Sequence, residues 1–460
     1  MKIVCVGTGY VGLVSGVCFS EFGFTVTCVD KDKSKIEKLN AGQVPIYEPG
    51  LDSLMHANVK AGRLFFSDDL AGALKDADVV FIAVGTPTRY DDSYGYADLS
   101  YVFAAAAEIA RSSEKYILVV TKSTVPAGTG RKIAEVMREA NPSLDFDVAS
   151  NPEFLREGSA IEDFMRPDRV IVGVESKRAE DIISELYRPL KLTNTPILFT
   201  SIESSELIKY AANSFLATKI AFVNEMADLC ERLGANIVDV AQGMGMDSRI
   251  GRRYLEPGPG FGGSCFPKDT LALVKMAESA GINSRIVEAV VLSNDLRKYR
   301  MTEKIIEACG GNLRNKTVAV LGLTFKPGTD DMRDSASLVI IPELLNGQAK
   351  VRVYDPQGMN EAKKLLTGKI DWCSEAYETM EGADILVILT EWNEFLRLDL
   401  EKVKSLLKLS TVVDLRNIYK RDEMKRAGLN YYSVGRPPVE VQEGRIHLAT
   451  NSGTATKASK

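Results

Sequence analysis

Lys-Ile-Val-Cys-Val-Gly-Thr-Gly-Tyr-Val-Gly, residues 2 to 12, runs from an apolar stretch into three glycines spaced Gly7-x-Gly9-x-x-Gly12. Ile3 to Val6 reads as a buried strand, the glycines as a turn, and the residues through Phe22 as a helix. Thr-Val-Thr-Cys-Val-Asp, residues 25 to 30, then forms a second strand that ends on Asp30. In that setting glycines let backbone amides approach a pyrophosphate at a helix N-terminus, and an acid at the next strand end accepts from a ribose 2′-OH. Asp30 would repel a 2′-phosphate, so the cofactor expected is NAD rather than NADP. Lys31 and Lys33, beside it, pull the other way.

Strand and helix patterns keep alternating through residues 77–88, 115–126, 145–154 and 169–174, which predicts a doubly wound parallel sheet carrying its ligand at the carboxyl ends of the strands. Polar clusters sit at those ends: Thr86-Pro87-Thr88, Lys122-Ser123-Thr124 and Asn151-Pro152-Glu153. Each alone would read as a turn. Three at successive strand ends point to the place where a nicotinamide meets its substrate.

The composition fits a globular chain. It has 460 residues, 45% hydrophobic and 26% charged, enough for two or three cores. A net charge of −5 argues against nucleic acid as the main partner, and no apolar run reaches membrane-spanning length. No signal peptide is read at the N-terminus, so a cytoplasmic location is expected. Seven cysteines without a CxxC pair signal neither a disulfide framework nor a zinc site, and the two histidines, His56 and His447, cannot build a His-rich metal centre. No metal is expected; the chemistry must run on Cys, Lys, Asp, Glu, Thr and Asn.

From Ser204 a long helical stretch begins, in which Leu207, Ala211 and Phe215 read as a packed stripe. Lys209 and Asn213 form a second pair four residues apart, so both head groups reach one site. The helix is long enough to bridge two domains and to serve as an oligomer surface. Phe-Gly-Gly-Ser-Cys-Phe-Pro-Lys-Asp, residues 261–269, places Cys265 in a glycine-made turn just ahead of a helix, with Pro267 suited to its first position. The helix dipole and Lys268 would favour a thiolate, and Asp269, four residues on, would face the sulfur. A buried inert cysteine is the plain alternative. Beyond a helical segment ending near Gly310, residues 317–331 open a second βα unit without GxGxxG, in which Lys326 and Arg333 flank Gly328. A helix over 334–345, a strand ending at Asp355, and strands in 383–392 and 410–417 complete a second parallel sheet suited to another nucleotide. The tail from Glu443 reads as mobile.

GTGYVG, GTPT, KSTVP, NPEFLREG, Lys209-x-x-x-Asn213, GFGGSCFPKD and FKPGTDDMRDS together resemble the motifs of the UDP-glucose 6-dehydrogenases, within the UDP-glucose/GDP-mannose dehydrogenase family, in family order and over nearly the whole chain. The resemblance implies an NAD-binding Rossmann domain (1–200), a central helical domain that carries the nucleophile and dimerises (201–305), and a UDP-sugar-binding Rossmann-like domain (306–460). By position, Cys265 matches the nucleophile, with Lys209, Asn213 and Asp269 around it and Thr124 and Glu153 in acid/base and water-handling places. The implied cofactor contacts are Gly7, Gly9, Tyr10, Val11, Gly12 and Asp30, then Lys35, Thr86, Thr124, Glu157, Lys268 and Arg333. The implied substrate contacts are Glu153, Phe154, Leu155, Lys209 and Asn213, then Arg249, Phe261, Gly262, Lys326 and Arg416, with Arg249 reaching across a subunit interface.

The activity implied is oxidation of a sugar C6 alcohol to a carboxylate with two hydrides passed to NAD, through a thiohemiacetal and a thioester on Cys265. UDP-glucose is the implied substrate and a homodimer or larger homo-oligomer the implied assembly, without nucleic acid or membrane. A sibling specificity for GDP-mannose or a UDP-N-acetylhexosamine is the nearest rival, though residues 151–169 look more like the UDP-glucose branch. A two-electron 3-hydroxyacid or phosphogluconate dehydrogenase is a rival of another class, and a non-catalytic NAD-binding module a third.

Overall fold

The computed structural model describes residues 1–90 and 95–441; the tail from Glu443, with His447, lies outside the described residues. The first half of the chain forms β1 (Lys2–Val6), β2 (Thr25–Val29), β3 (Leu64–Ser67), β4 (Val79–Ile82), β5 (Thr88–Tyr90), β6 (Gly95–Ala97), β7 (Ile117–Thr121), β8 (Phe146–Ser150), β9 (Val170–Gly173) and β10 (Ile197–Thr200). All but β5 and β6 build one sheet in the order β10-β9-β8-β7-β4-β1-β2-β3. Neighbours from β3 to β8 run parallel, and β1, β4 and β7 are apolar because helices cover both faces. The order reverses between β1 and β4, which opens a crevice at their carboxyl ends. The segment 169–174 departs from the parallel run: β9 and β10 are parallel to each other, but β9 meets β8 antiparallel at Ser150–Gly173. The connection from β8 to β9 runs through the loop 151–159 and the short helix Ala160–Met165, whose Ala160 and Phe164 join the sheet's core.

A helix of 32 residues, Ile202–Leu233, links this sheet to the rest. Ser201 caps it by accepting from the Ser204 amide, and Gly234 stops it at φ +73°. At 1.5 Å per residue it is about 48 Å long, enough to touch both sheets. Near its start Ser205 Oγ donates to Ser150 O at 3.1 Å. Near its end Val223, Ala227 and Cys230 join the core of the second sheet with Val318, Val320 and Ile340. The stripe Leu207, Ala211 and Phe215 is not packed: all three are exposed in the single chain. The face that packs is Ser205, Lys209, Tyr210, Asn213, Ser214 and Ala217, because the side turned to the site must carry polar groups.

The second sheet holds β11 (Thr317–Leu321), β12 (Lys350–Tyr354), β13 (Ile370–Trp372), β14 (Ile385–Ile388), β15 (Thr411–Asp414) and β16 (Asn430–Ser433). Its order is β13-β12-β11-β14-β15-β16, all parallel. The helix after β11 starts at Ser337 rather than Asp334, since Ser335 and Ser337 first turn their hydroxyls onto Leu323 O at 2.6 Å each. Asp355 ends β12 as Asp30 ends β2, and each accepts from a threonine after the preceding strand, Thr324 and Thr8. Asp355 is 1% exposed and also takes the amides of Leu323, Gln357 and Gly358, so it serves the fold rather than a ribose.

Candidate active site

One cavity of about 1230 Å³ begins at Gly7, Gly9, Tyr10, Val11 and Asp30 and ends at Thr124, Glu153, Phe261 and Cys265, with Lys35, Thr86, Leu155, Glu157, Lys268 and Arg333 also on its wall. At its first end the glycines do separate jobs. Gly7 (φ +103°) lies so close to Ala83 that an added Cβ would come within 2.6 Å of its carbonyl oxygen, and a Cβ on Gly12 would strike Gly7 O at 1.9 Å. Around Gly9, by contrast, an added Cβ meets nothing within 4 Å. The first and third glycines therefore pack strand against helix, and the second leaves open space ahead of the helix Tyr10–Glu21, where a pyrophosphate fits. Asp30 accepts from Thr8 N at 2.8 Å, Thr8 Oγ1 at 2.7 Å and Asp32 N at 3.0 Å. Burial pushes its carboxyl up, and these bonds more than offset that, holding its pKa below the ordinary value. The pocket fits NAD: a ribose acceptor, an open glycine and a helix N-terminus line one wall.

At the other end Cys265 is the N-cap of the helix Phe266–Ser279, which starts one residue before Pro267. Gly262 and Gly263 are there for close approach as much as for turning. A Cβ on Gly262 would meet Asp334 O at 2.5 Å, and one on Gly263, at φ +81°, would strike the Phe325 ring at 2.7 Å. Gly263 N donates to Arg333 O at 2.7 Å, which docks the cysteine loop onto the second sheet's first turn. Burial raises the Cys265 thiol pKa, with Lys209 opposing and Glu153 and Asp269 adding to the rise. The thiolate expected from the helix dipole is thus opposed by burial, which favours the neutral thiol.

Lys209 and Asn213 are both buried on the inner face of the long helix. Lys209 Nζ donates to Glu153 O at 2.6 Å and Glu153 Oε1 at 3.2 Å. Burial works against its charge, yet Glu153, Cys265 and Asp269 hold its pKa above the ordinary lysine value. Asn213 Nδ2 donates to Asp269 Oδ2 at 2.6 Å, and Lys268 Nζ to Asp269 Oδ1 at 2.8 Å. Glu153 Oε2 accepts from Leu155 N at 2.6 Å, and Phe154 stacks under the Arg169 guanidinium at 3.8 Å. Thr124 is tied to Thr86, whose hydroxyl donates to its carbonyl at 3.2 Å.

Among the remaining expected residues, Lys326 lies over the Phe325 ring at 5.5 Å, and burial lowers its pKa. Arg416 donates to Leu389 O and Phe325 O, each at 2.8 Å, and packs near Gly258. Arg249 is not brought to the cavity: its side chain is 87% exposed and pairs with Asp247 at 2.6 Å. Glu157 receives Ser264 Oγ at 3.3 Å, Thr329 Oγ1 at 3.2 Å and Arg333 Nη2 at 3.2 Å, so it stands where three segments meet.

The sequence reading missed several supports. Asn294 clamps Phe261, accepting from its amide at 2.8 Å and donating to its carbonyl at 3.1 Å, and Arg297 donates to Gly258 O at 3.0 Å. Glu48 takes the Tyr10 hydroxyl together with the amides of Gly158 and Ala160. Lys122, Asn151 and Tyr187 form a buried triad, with Lys122 Nζ to Asn151 Oδ1 at 3.0 Å and Tyr187 OH to the same oxygen at 2.6 Å. Lys122 and Asn151 stood in the polar strand-end clusters, but their pairing with each other and with Tyr187 was not legible, nor were the roles of Asn294, Arg297 and Glu48, because the partners lie tens of residues away.

Three family models cover this architecture: the NAD-binding domain of the UDP-glucose/GDP-mannose dehydrogenase family over residues 1–191, its central domain over 203–296 and its UDP-binding domain over 319–421. A UDP-glucose 6-dehydrogenase of Rhizobium meliloti is 56% identical over 439 residues, 95% of this chain and 100% of that one. The UDP-glucose 6-dehydrogenase TuaD of Bacillus subtilis is 47% identical over 96% of this chain and 95% of its own length. Among solved structures, a UDP-glucose dehydrogenase from Pyrobaculum islandicum superposes with a TM-score of 0.87 at 39% identity, covering 95% of this chain and 98% of that one. A UDP-D-ManNAc dehydrogenase from Pyrococcus horikoshii gives 0.83 at 28% identity, over 95% and 100%. With whole-length identity to such relatives and all three models matched in order, the chain belongs to the UDP-glucose/GDP-mannose dehydrogenase family of NAD-dependent oxidoreductases.

Proposed function

We propose that this chain oxidises the C6 alcohol of UDP-glucose to the carboxylate of UDP-glucuronate, a four-electron change. The observation that carries the reading is Cys265, set at the end of a cavity that opens on the dinucleotide turn, with Lys209, Glu153 and Asp269 close enough for their charges to bear on its thiol. NAD would be held by Gly9, the helix N-terminus and Asp30 and would supply the hydride acceptor, one NAD for each of the two oxidations. Thr124 and Glu153, through a water between them, take the proton from the alcohol as the aldehyde forms. An aldehyde has no good second hydride to give. Cys265 Sγ therefore bonds to its carbon while the thiol proton ends on the oxygen, giving a thiohemiacetal whose carbon again carries a transferable hydride. Loss of that hydride and of the hydroxyl proton leaves a thioester. Water adds to it, the C–S bond breaks, the thiol recovers its proton and the carboxylate leaves.

Lys209 and Asn213, which donate to Glu153 and Asp269, stabilise the substrate oxygen at each tetrahedral stage, a role worth about 3 kcal/mol per donor. Glu153 and Asp269 are the two candidate bases for activating the hydrolytic water. Lys326, Arg416, Phe261 and Gly262 form the sugar-nucleotide side, and Arg249 completes it from a second subunit. The division into 1–200, 201–305 and 306–460, with the middle part dimerising, belongs to the same proposal. A cytoplasmic place of action does too: all seven cysteines are free thiols, which suits a reducing compartment. No helix of the described residues is long and apolar enough to cross a membrane.

The test is stoichiometry on a panel of UDP-glucose, GDP-mannose and UDP-N-acetylmannosamine. Two NADH per uronate with UDP-glucose, and a fall of several powers of ten in turnover for Cys265→Ala, are expected. One NADH per sugar, or near-normal turnover in the alanine variant, would refute the covalent route. Preference for another sugar nucleotide would reassign the substrate alone.

A further inference from the structure

Three lysines follow β2 at alternate positions, Lys31, Lys33 and Lys35, a run that by itself would suit a 2′-phosphate. Each is spoken for by a carboxylate. Lys31 Nζ lies 2.7 Å from Glu108 Oε2, Lys33 Nζ 3.4 Å from Asp68 Oδ2, and Lys35 Nζ 4.0 Å from Asp30 Oδ2. Glu108 comes from the helix Ser100–Ser112 and Asp68 from the end of β3, so two separate elements deliver these acids. Lys31, Lys35, Asp68 and Glu108 line the same cavity as Asp30.

We propose that Glu108 and Asp68 are specificity-determining residues, which exclude a 2′-phosphate by cancelling the lysines beside the ribose edge. Asp30 begins the discrimination, but it and Asp32 are also structural: Asp30 holds the Thr8 turn, and Asp32 caps the helix Lys33–Asn40 through the Ser34 and Lys35 amides. With those two, four carboxylates face three lysines, and a dianionic phosphate meets a net negative edge. The side chains of Glu108 and Asp68 make no other hydrogen bond or ion pair among the described residues. Their pairs are solvent-exposed, so breaking them costs little stability. The effect on a phosphate of charge −2 is larger, about tenfold in affinity per carboxylate removed at spacings of roughly 7 Å in water.

The test compares Glu108→Gln, Asp68→Asn and the double variant, with Glu401→Gln, an exposed acid on the second sheet's side of the chain, as a control for net charge. The ratio of kcat/KM with NADP to that with NAD is expected to rise about tenfold in each single variant and about a hundredfold in the double. Calorimetric affinity for adenosine 2′,5′-bisphosphate over AMP should rise in step, without need of turnover. Both gains should shrink between about 20 mM and about 300 mM salt, as an unscreened charge effect must. A double variant whose ratio stays within about twofold of the parent, or an equal rise in Glu401→Gln, would overturn the assignment. A ratio that rises only because NAD is used less well would overturn it too. Since every readout concerns the adenosine end, none depends on which sugar is oxidised.

Discussion

Glu157 shows how one residue comes to serve two parts of the molecule. It leaves the loop after β8 and accepts from Ser264 beside the nucleophile and from Thr329 and Arg333 on the second sheet's first turn. Burial pushes its pKa up to about 7, with the Asp331 charge adding to the rise and Arg333 and Lys326 opposing it. A carboxyl raised in the folded chain contributes stability that is fully present below its unfolded pKa and is lost as pH climbs through the folded value. The window here is from about 4.5 to about 7. Glu157→Gln removes that titration, so its melting temperature relative to the parent should rise by about 1–3 °C between pH 5 and pH 8. A constant difference across that range would show that Glu157 does not titrate there. The position stood out in the sequence only through the motif NPEFLREG; its raised pKa owes part of its size to Asp331, far downstream in the chain, and could not be read locally.

At the scale of elements, the turn 261–265 was legible as a cysteine before a helix, while its docking was not. Its glycines read only as making a turn, yet Gly262 and Gly263 are also pressed against Asp334 and Phe325. Gly262→Ala would drive a methyl into a backbone carbonyl at 2.5 Å, a contact that only a shift of the whole loop relieves. Overpacking of this kind costs about 1–3 kcal/mol. Because the loop carries Cys265 on one side and meets the sugar-nucleotide domain on the other, kcat is expected to fall at least about tenfold while NAD affinity changes little. Equal kcat in the variant, measured at saturating substrate, would mean the docking is not required for catalysis. The long helix shows the opposite failure of local reading. Its apolar repeat Leu207, Ala211, Phe215 faces outward, and its site-facing repeat is polar, so hydrophobic periodicity picked the wrong face for the inner side.

For the whole molecule, that outward face is the one the proposed oligomer would cover. Leu207, Phe215, Phe222, Leu229 and Leu233 leave a row of exposed apolar side chains along one helix, more than a lone chain usually shows to water. The proposed second subunit would cover this row, and the exposed Arg249 is the residue proposed to serve that subunit's site. Phe215→Glu should shift sedimentation toward the monomer, and activity should fall with it; an unchanged mass would mean the row is not the interface. Arg249→Ala should raise the sugar-nucleotide KM by about 10- to 100-fold, the loss of one charged hydrogen bond, and leave NAD affinity nearly intact. Mixed oligomers of Arg249→Ala and Cys265→Ala chains should recover activity, since one active site then has both groups. Absence of recovery in verified mixtures would place Arg249 outside the neighbour's site.

Features that depend on neighbours along the chain were legible before any fold: the strand–glycine–helix turn at residues 3–22, the acid at Asp30, the i, i+4 pair Lys209 and Asn213, and a cysteine at a helix N-terminus. Backbone geometry and side-chain periodicity act within a turn or two, so these features carry their own signal. Tertiary structure decided the rest. Only it brings Glu108 and Asp68 to the lysines after β2, sets Glu48 on Tyr10, and ties Lys122 to Asn151. It also overrules the helix dipole at Cys265, where burial raises the thiol that the local sequence would have ionised. Desolvation and long-range charge depend on what the fold packs around a group, and that is fixed by contacts no sequence window contains.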